Sequence, residues 1–167
     1  MLKVVLDANI FVSAVLKPHS DLAKIFELVS EDKIKLILSE DILSEMKAVL
    51  LYPKIKKRHG RSRKEIEEFL KKASQVSILA QGRIDSDEMR EDPADNKYLS
   101  VALEAKADFI ISGDHHLKDL KFFEGIRILD PLGNSTSPSQ SIYHCFGPAV
   151  SKTRTKDRVN SIELARF

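Results

Sequence analysis

The chain has 167 residues with one cysteine, 27 Lys plus Arg against 25 Asp plus Glu, and a formal net charge of +2. That length suits a single domain with its own core, and a lone thiol excludes an internal disulfide framework or a cysteine zinc site and fits a reducing compartment. The near-neutral balance gives the whole chain no general claim on nucleic acid or membrane, so any such claim must rest on local charge.

Taken in chain order, Leu2 to Leu6 reads as a short buried strand whose β-prone Val4-Val5-Leu6 run stops at Asp7. No signal-peptide core precedes it and no stretch reaches the roughly 20 apolar residues that span a bilayer, so a cytoplasmic protein without a membrane partner is expected. Ser20 is a candidate N-cap, after which Leu22, Ile25, Phe26 and Val29 recur at helical spacing. A second strand is expected at Ile34 to Leu38. Ser39 then caps a helix with the buried stripe Ile42, Met46, Val49 and Leu50, which Tyr52-Pro53 interrupts; Glu45 sits on the border of that stripe. Ser62 with Glu65 makes a capping box, continued by Ile66, Phe69, Leu70 and Ala73.

A short strand at Val76 to Leu79 and a polar loop from Gln81 to Glu91 come next. Asp92, Pro93 and Asp95 open a helix as N-cap, first-turn proline and first-turn acid, with Leu99, Val101, Ala102, Leu103 and Ala105 on its apolar side. Strands follow at Phe109 to Ile111, ending in Ser112-Gly113-Asp114, and at Ile126 to Leu129, ending in Asp130-Pro131. Alternating strands and helices predict an α/β fold: a three-layer α/β/α sandwich with a central parallel sheet and right-handed crossovers. From Gly133 the composition turns to Ser, Thr, Pro and Gln and then to scattered charges. Residues 1–132 are therefore expected to form the domain, and 133–167 an irregular C-terminal appendage, flexible or not native to it.

Four acids, Asp7, Glu45, Asp95 and Asp114, fall at strand ends, at a helix start, or beside an apolar stripe. Ligands of an open parallel sheet bind beyond the carboxyl ends of its strands, near the point where strand order reverses. Asp7 and Asp114 each follow such an end and converge if the first and fourth strands are neighbours. Asp95 would then complete the rim, and Glu45 would approach from the facing helix. Hard oxygen donors of this kind suit Mg2+ or Mn2+ better than zinc. Water on such an ion ionises more readily than bulk water, and the ion offsets charge on phosphate oxygens, which points to phosphodiester hydrolysis. Singly, each acid has a plainer reading: a turn cap for Asp7 or Asp114, a helix-dipole partner for Asp95, a solvated helix charge for Glu45. The conjunction is what suggests a site.

The segments Val4-Val5-Leu6-Asp7-Ala8-Asn9-Ile10-Phe11-Val12-Ser13, Ser39-Glu40-Asp41-Ile42-Leu43-Ser44-Glu45, Asp92-Pro93-Ala94-Asp95-Asn96-Lys97 and Phe109-Ile110-Ile111-Ser112-Gly113-Asp114 carry a resemblance. In their order, and over residues 1 to about 132, the chain resembles the PIN domain family, the nuclease fold of many prokaryotic toxins similar to VapC. The resemblance implies that Asp7, Glu45, Asp95 and Asp114 are the catalytic and metal-binding quartet, with Mg2+ or Mn2+ as cofactor. Asn9, Ser13 and Ser112 are then supporting polar residues and Asp92 an auxiliary acid. It further implies an endoribonuclease that leaves 5′-phosphate and 3′-hydroxyl ends and acts as the toxin of a toxin–antitoxin pair. RNA is then the substrate, a small antitoxin protein the partner that blocks the acidic site, and a dimer or higher homo-oligomer the assembly.

The run from Lys54 to Lys64 is the strongest charge segregation in the chain. Its Lys54, Lys56, Lys57, Arg58, Arg61 and Arg63 would hold RNA phosphates, or else form a solvated inter-helix loop. No Phe or Tyr is interleaved, so no stacking platform is expected there. His115-His116 lacks a second histidine pair at zinc spacing and reads as a phosphate contact or loop surface. Glycine-rich nucleotide motifs are missing, which disfavours cofactor redox chemistry. Two other readings stand beside the ribonuclease: a catalytically silent PIN-like module that holds RNA or protein, and a DNA-directed nuclease with similar carboxylates.

Overall fold

A computed structural model describes residues 1–17, 20–84 and 93–131. Asp92, most of the expected polar loop and the appendage from Gly133 lie outside the described residues. Strands β1 (Leu2–Leu6), β2 (Ile34–Leu38), β3 (Ile78–Leu79), β4 (Phe109–Ile111), β5 (Phe122–Phe123) and β6 (Ile126–Leu129) form one sheet in the order β3-β2-β1-β4-β6-β5. All pairings are parallel except β5 with β6. Val4, Val5, Leu6, Ile110 and Ile111 are completely buried, as in central strands covered on both faces. The chain steps from β1 to β2 to β3 in one direction, then returns past β1 to β4 and β6. With the right-handed crossovers that parallel strands follow as a rule, this reversal puts the helices of the two halves on opposite faces and gives the three expected layers. The reversal falls between β1 and β4, where open α/β sheets hold their ligands.

The helices are α1 (Ala8–Leu16), α2 (Lys24–Ser30), α3 (Glu40–Leu51), α4 (Pro53–His59), α5 (Arg63–Gln75), α6 (Pro93–Glu104) and α7 (His115–Leu120), with a 3₁₀ turn at Asp21–Ala23. Ser39 caps α3 through the Ile42 N–H, and the Ser62–Glu65 box closes in both directions on α5. Helix α1 has no counterpart in the sequence reading. Ala8, Ile10, Phe11, Val12, Ala14 and Val15 are all buried, and a helix apolar nearly all round shows no stripe. The Phe11 ring meets Phe26 edge-on at 5.0 Å and Phe69 at 5.7 Å, which fastens α1 to α2 and α5.

Three local expectations differ from the structure, which also adds one element the sequence does not announce. The Ser20 hydroxyl oxygen accepts the Ala23 N–H at 3.4 Å, so it caps the 3₁₀ turn, and α2 begins without a side-chain cap. Pro53 ends α3 but also starts α4 as its first residue, a position where proline loses no hydrogen bond. Much of the basic run is therefore helical, ending at Gly60 with φ +68°. Val76 closes α5 instead of opening β3. Finally, Glu124 and Gly125 turn with φ of 47° and 80° and fold β5 back on β6 as an antiparallel hairpin, the geometry a two-residue loop prefers.

Two contacts set the β1–β4 register. At one end the Lys3 N–H donates to Asp108 Oδ2 at 2.7 Å, and the Asp108 N–H donates to the Lys3 carbonyl at 2.9 Å. At the other, the Asp7 N–H donates to the Ile111 carbonyl at 3.0 Å. Leu6 stands opposite Ile111, so the next pair along the strands is Asp7 and Ser112. Among the described residues no helix is long and apolar enough to cross a membrane.

Candidate active site

Asp7 leaves β1 and caps α1, its Oδ1 accepting the Asn9 N–H at 2.8 Å. Its Oδ2 accepts the Ser112 hydroxyl at 2.6 Å, and the same Ser112 oxygen accepts the Asp114 N–H at 3.0 Å. Ser112 is completely buried and links the Asp7 carboxylate to the backbone of Asp114. Asp114 caps α7 through Oδ1, which accepts the His116 N–H at 2.7 Å and the Leu117 N–H at 3.4 Å. Asp7 is only 5% exposed. Burial raises its pKa; the bonds from Ser112 and Asn9 lower it, and the charges of Glu45 and Asp114 add to the rise. The charges of acids from two other chain segments, Glu45 and Asp114, therefore reach Asp7.

Glu45 comes from the second turn of α3. Its Oε2 accepts the Tyr98 hydroxyl at 2.5 Å and the Lys97 ammonium at 2.6 Å. The Tyr98 oxygen in turn accepts the Ala8 N–H at 3.1 Å. Tyr98 is 4% exposed, and its pKa is pushed far up by burial and by the bond to Glu45, so the phenol stays a donor. Neither Lys97 nor Tyr98 was singled out from the sequence. The available signal was Tyr98 itself: a phenol adjoining the apolar side of α6 has to find a partner for its hydroxyl.

Residues 3–116 match the PIN domain family, a span that runs from β1 into α7 and includes all four acids. The chain belongs to the PIN domain family. PIN domains are in general nucleases that bind divalent metals. Uncharacterized protein MJ1680 of Methanocaldococcus jannaschii is 38% identical over 120 residues, covering 72% of this chain and 76% of that protein.

Within this PIN domain the other expected site residues are placed as follows. Asp95 falls in the first turn of α6; its side chain, like the whole of Asp92, lies outside the described residues. Asn9 is exposed, and it supports Asp7 through its backbone N–H. Ser13 sits well down α1, about 9 Å along the axis from Asp7 at 1.5 Å per residue, and its carbonyl accepts the Lys17 N–H. His115 and His116 open α7 and are exposed on a helix, not a loop. Lys54, Lys56, Lys57 and Arg58 lie on α4, Arg61 follows Gly60, and Arg63 opens α5. Helix α4 follows the far end of α3, roughly 9 Å beyond Glu45 along the α3 axis. There Lys56, Lys57 and Arg61 line an open groove of about 560 Å³ with Leu51, Pro53 and Gly60.

The donors around Asp7 are carboxylate and hydroxyl oxygens, the set that suits a hard divalent ion. A buried Asp7 whose acid neighbours raise its pKa also fits a centre that an added cation would relieve. Among the described residues, no three His, Cys, Asp or Glu side chains come close enough to hold one ion together. Asp95, whose side chain is not among them, is the PIN domain's remaining candidate acid.

Proposed function

We propose that this PIN domain is a Mg2+- or Mn2+-dependent endoribonuclease and the toxin component of a type II toxin–antitoxin pair, with Asp7, Glu45, Asp95 and Asp114 as its catalytic and metal-binding acids. The observation that carries this reading is the Asp7–Ser112–Asp114 bridge at the β1/β4 reversal, with Glu45 near enough for its charge to act on Asp7. When bound, the divalent ion supplies an activated water and a counter-charge for phosphate oxygens. The residues of the chain do the rest. Ser112 ties the Asp7 carboxylate to the backbone of Asp114, while Tyr98 orients Glu45 and Lys97 balances its charge. The cations of α4 and the start of α5 attract the RNA backbone away from the point of scission, a sequence-independent and salt-sensitive contribution. A small antitoxin that covers the carboxylates would silence the enzyme, and a homo-oligomer in the cytoplasm is the setting this reading carries.

The test is to incubate the purified chain with a pool of RNAs, and separately with single-stranded and flap DNA, with and without Mn2+, and to map the ends. New 5′-phosphate and 3′-hydroxyl RNA ends are expected only with metal. Asp114→Asn should reduce them by about 100-fold or more, the scale of losing one preorganised electrostatic group at a reacting centre. Cleavage that survives this substitution overturns the assignment. One observation favours a second reading, a silent module that holds RNA or protein: Glu45 already has an internal counter-charge in Lys97. RNA retained without new ends would support that module, and cut DNA beside intact RNA would redirect the substrate class.

A further inference from the structure

Resting on the metal-centre reading above, we propose that Lys97 and Tyr98 act on Glu45 in opposite senses. Tyr98 is a positioning residue that fixes the Glu45 carboxylate against Asp7, and Lys97 is an internal cation that competes with a divalent metal for Glu45 Oε2. Both side chains donate to the same oxygen, Tyr98 at 2.5 Å and Lys97 at 2.6 Å. Their surroundings differ. The Tyr98 oxygen also accepts the N–H of Ala8, the residue after Asp7. One buried phenol thus joins α1, α3 and α6 at the site and ties the backbone beside Asp7 to Glu45. Both bonds and a surface only 4% exposed hold the phenol in place.

Lys97 is on a flexible four-carbon stem. Its side chain is 23% exposed, and its ammonium lies 5.1 Å from the centre of the Tyr98 ring. It can therefore move toward solvent while Tyr98 stays. A divalent ion arriving beside Asp7 meets a Glu45 already compensated by a positive charge. The ion must displace the ammonium or bind next to it, and like-charge proximity weakens binding in either case. Adjacent residues of one helix thus set the affinity of the centre, one raising it through geometry and the other lowering it through charge.

The experiment is titration calorimetry of Mn2+ into the purified full chain and into Tyr98→Phe, Lys97→Met and Lys97→Arg, with cooperative melting checked for each. Tyr98→Phe is expected to bind Mn2+ about 10-fold more weakly, the scale seen when a group orienting a ligand is lost. Lys97→Met keeps the apolar stem and is expected to bind several-fold tighter, while Lys97→Arg restores the wild-type affinity. A purely structural role would not give opposite signs from neighbouring residues. Tyr98→Phe with unchanged affinity overturns the positioning role, and Lys97→Met with equal or weaker affinity overturns the competition. Affinities that shift as stated without any RNA cleavage leave the proposal standing and defeat the nuclease reading. Cleavage with unshifted affinities defeats the proposal alone, and a wild-type chain that binds no Mn2+ defeats the proposal together with the metal centre.

Discussion

Burial takes the Asp7 carboxylate out of water, and the Ser112 hydroxyl and the Asn9 amide offset only part of that cost. Because its pKa is raised above the ordinary value of 3.8, the folded chain holds this proton more tightly than the unfolded chain does. Stability linked to Asp7 is therefore highest below the unfolded pKa and falls as pH rises through the window up to the raised folded pKa. In chelator, Asp7→Asn should raise the thermal unfolding midpoint at neutral pH, and the gain should fade as pH is lowered into the usual carboxylate range. An unchanged or lower midpoint at neutral pH would show that Ser112 and Asn9 outweigh burial. Such a trade of stability against function is typical of charged sites. Asp7, Glu45 and Asp114 stand out as candidate residues in the sequence because each has a local signature: an acid at the end of an apolar run or at the border of a helical stripe. Tyr98 and Lys97 do not, because their role exists only in a contact with Glu45 more than 50 residues away in the chain.

Helix α6 carries Asp95, Lys97 and Tyr98, and the segment before it is strapped along its surface. Glu104 accepts the N–H groups of Gln81, Gly82 and Arg83 at 2.9, 2.7 and 3.3 Å, and the Ser100 hydroxyl donates to the Ile84 carbonyl at 2.6 Å. Gly82 has φ +68°, and a Cβ there would meet Val101 Cγ2 at 2.9 Å, so the strap requires glycine at this point. The bonds from the Gln81, Arg83 and Gly82 amides hold the Glu104 pKa below its ordinary value. The stabilisation is then complete above the unfolded pKa and lost as pH falls through the folded one. Glu104→Gln should lower the amide exchange protection of residues 81–83 at neutral pH, and acidifying the wild-type chain should lower it likewise once the slower intrinsic exchange in acid is divided out. Unaltered exchange in the variant would count against the strap. Helices with side-chain caps, such as α3 and α5, were readable because Ser39 and the Ser62–Glu65 pair announce them. Helix α4 was not, since Pro53 reads equally as a stop and as a start and Ile55 is the only apolar residue of its helical part after the proline. The β5–β6 turn was hidden by Glu124, a residue type that seldom takes positive φ.

At the scale of the molecule, the alternation of strands and helices was enough to predict a layered α/β fold, and the β1–β4 adjacency on which the site depends is present. The cohesion of the helical layer was less visible, because Phe11 lies in a helix without periodicity. Phe11→Ala removes a ring that touches both Phe26 and Phe69 and should cost about 3–5 kcal/mol in urea unfolding. That is a large part of the roughly 5–15 kcal/mol that keeps a domain folded. A loss below about 1 kcal/mol would mean that the site can repack. The sheet ends on both sides in strands of only two residues, β3 and β5. Margins this short present too few unpaired amides to template lateral growth by another chain. Concentrated preparations should accordingly resist fibril nucleation along either flank, and crowding would be felt there through the exposed Leu79 and Phe122 side chains.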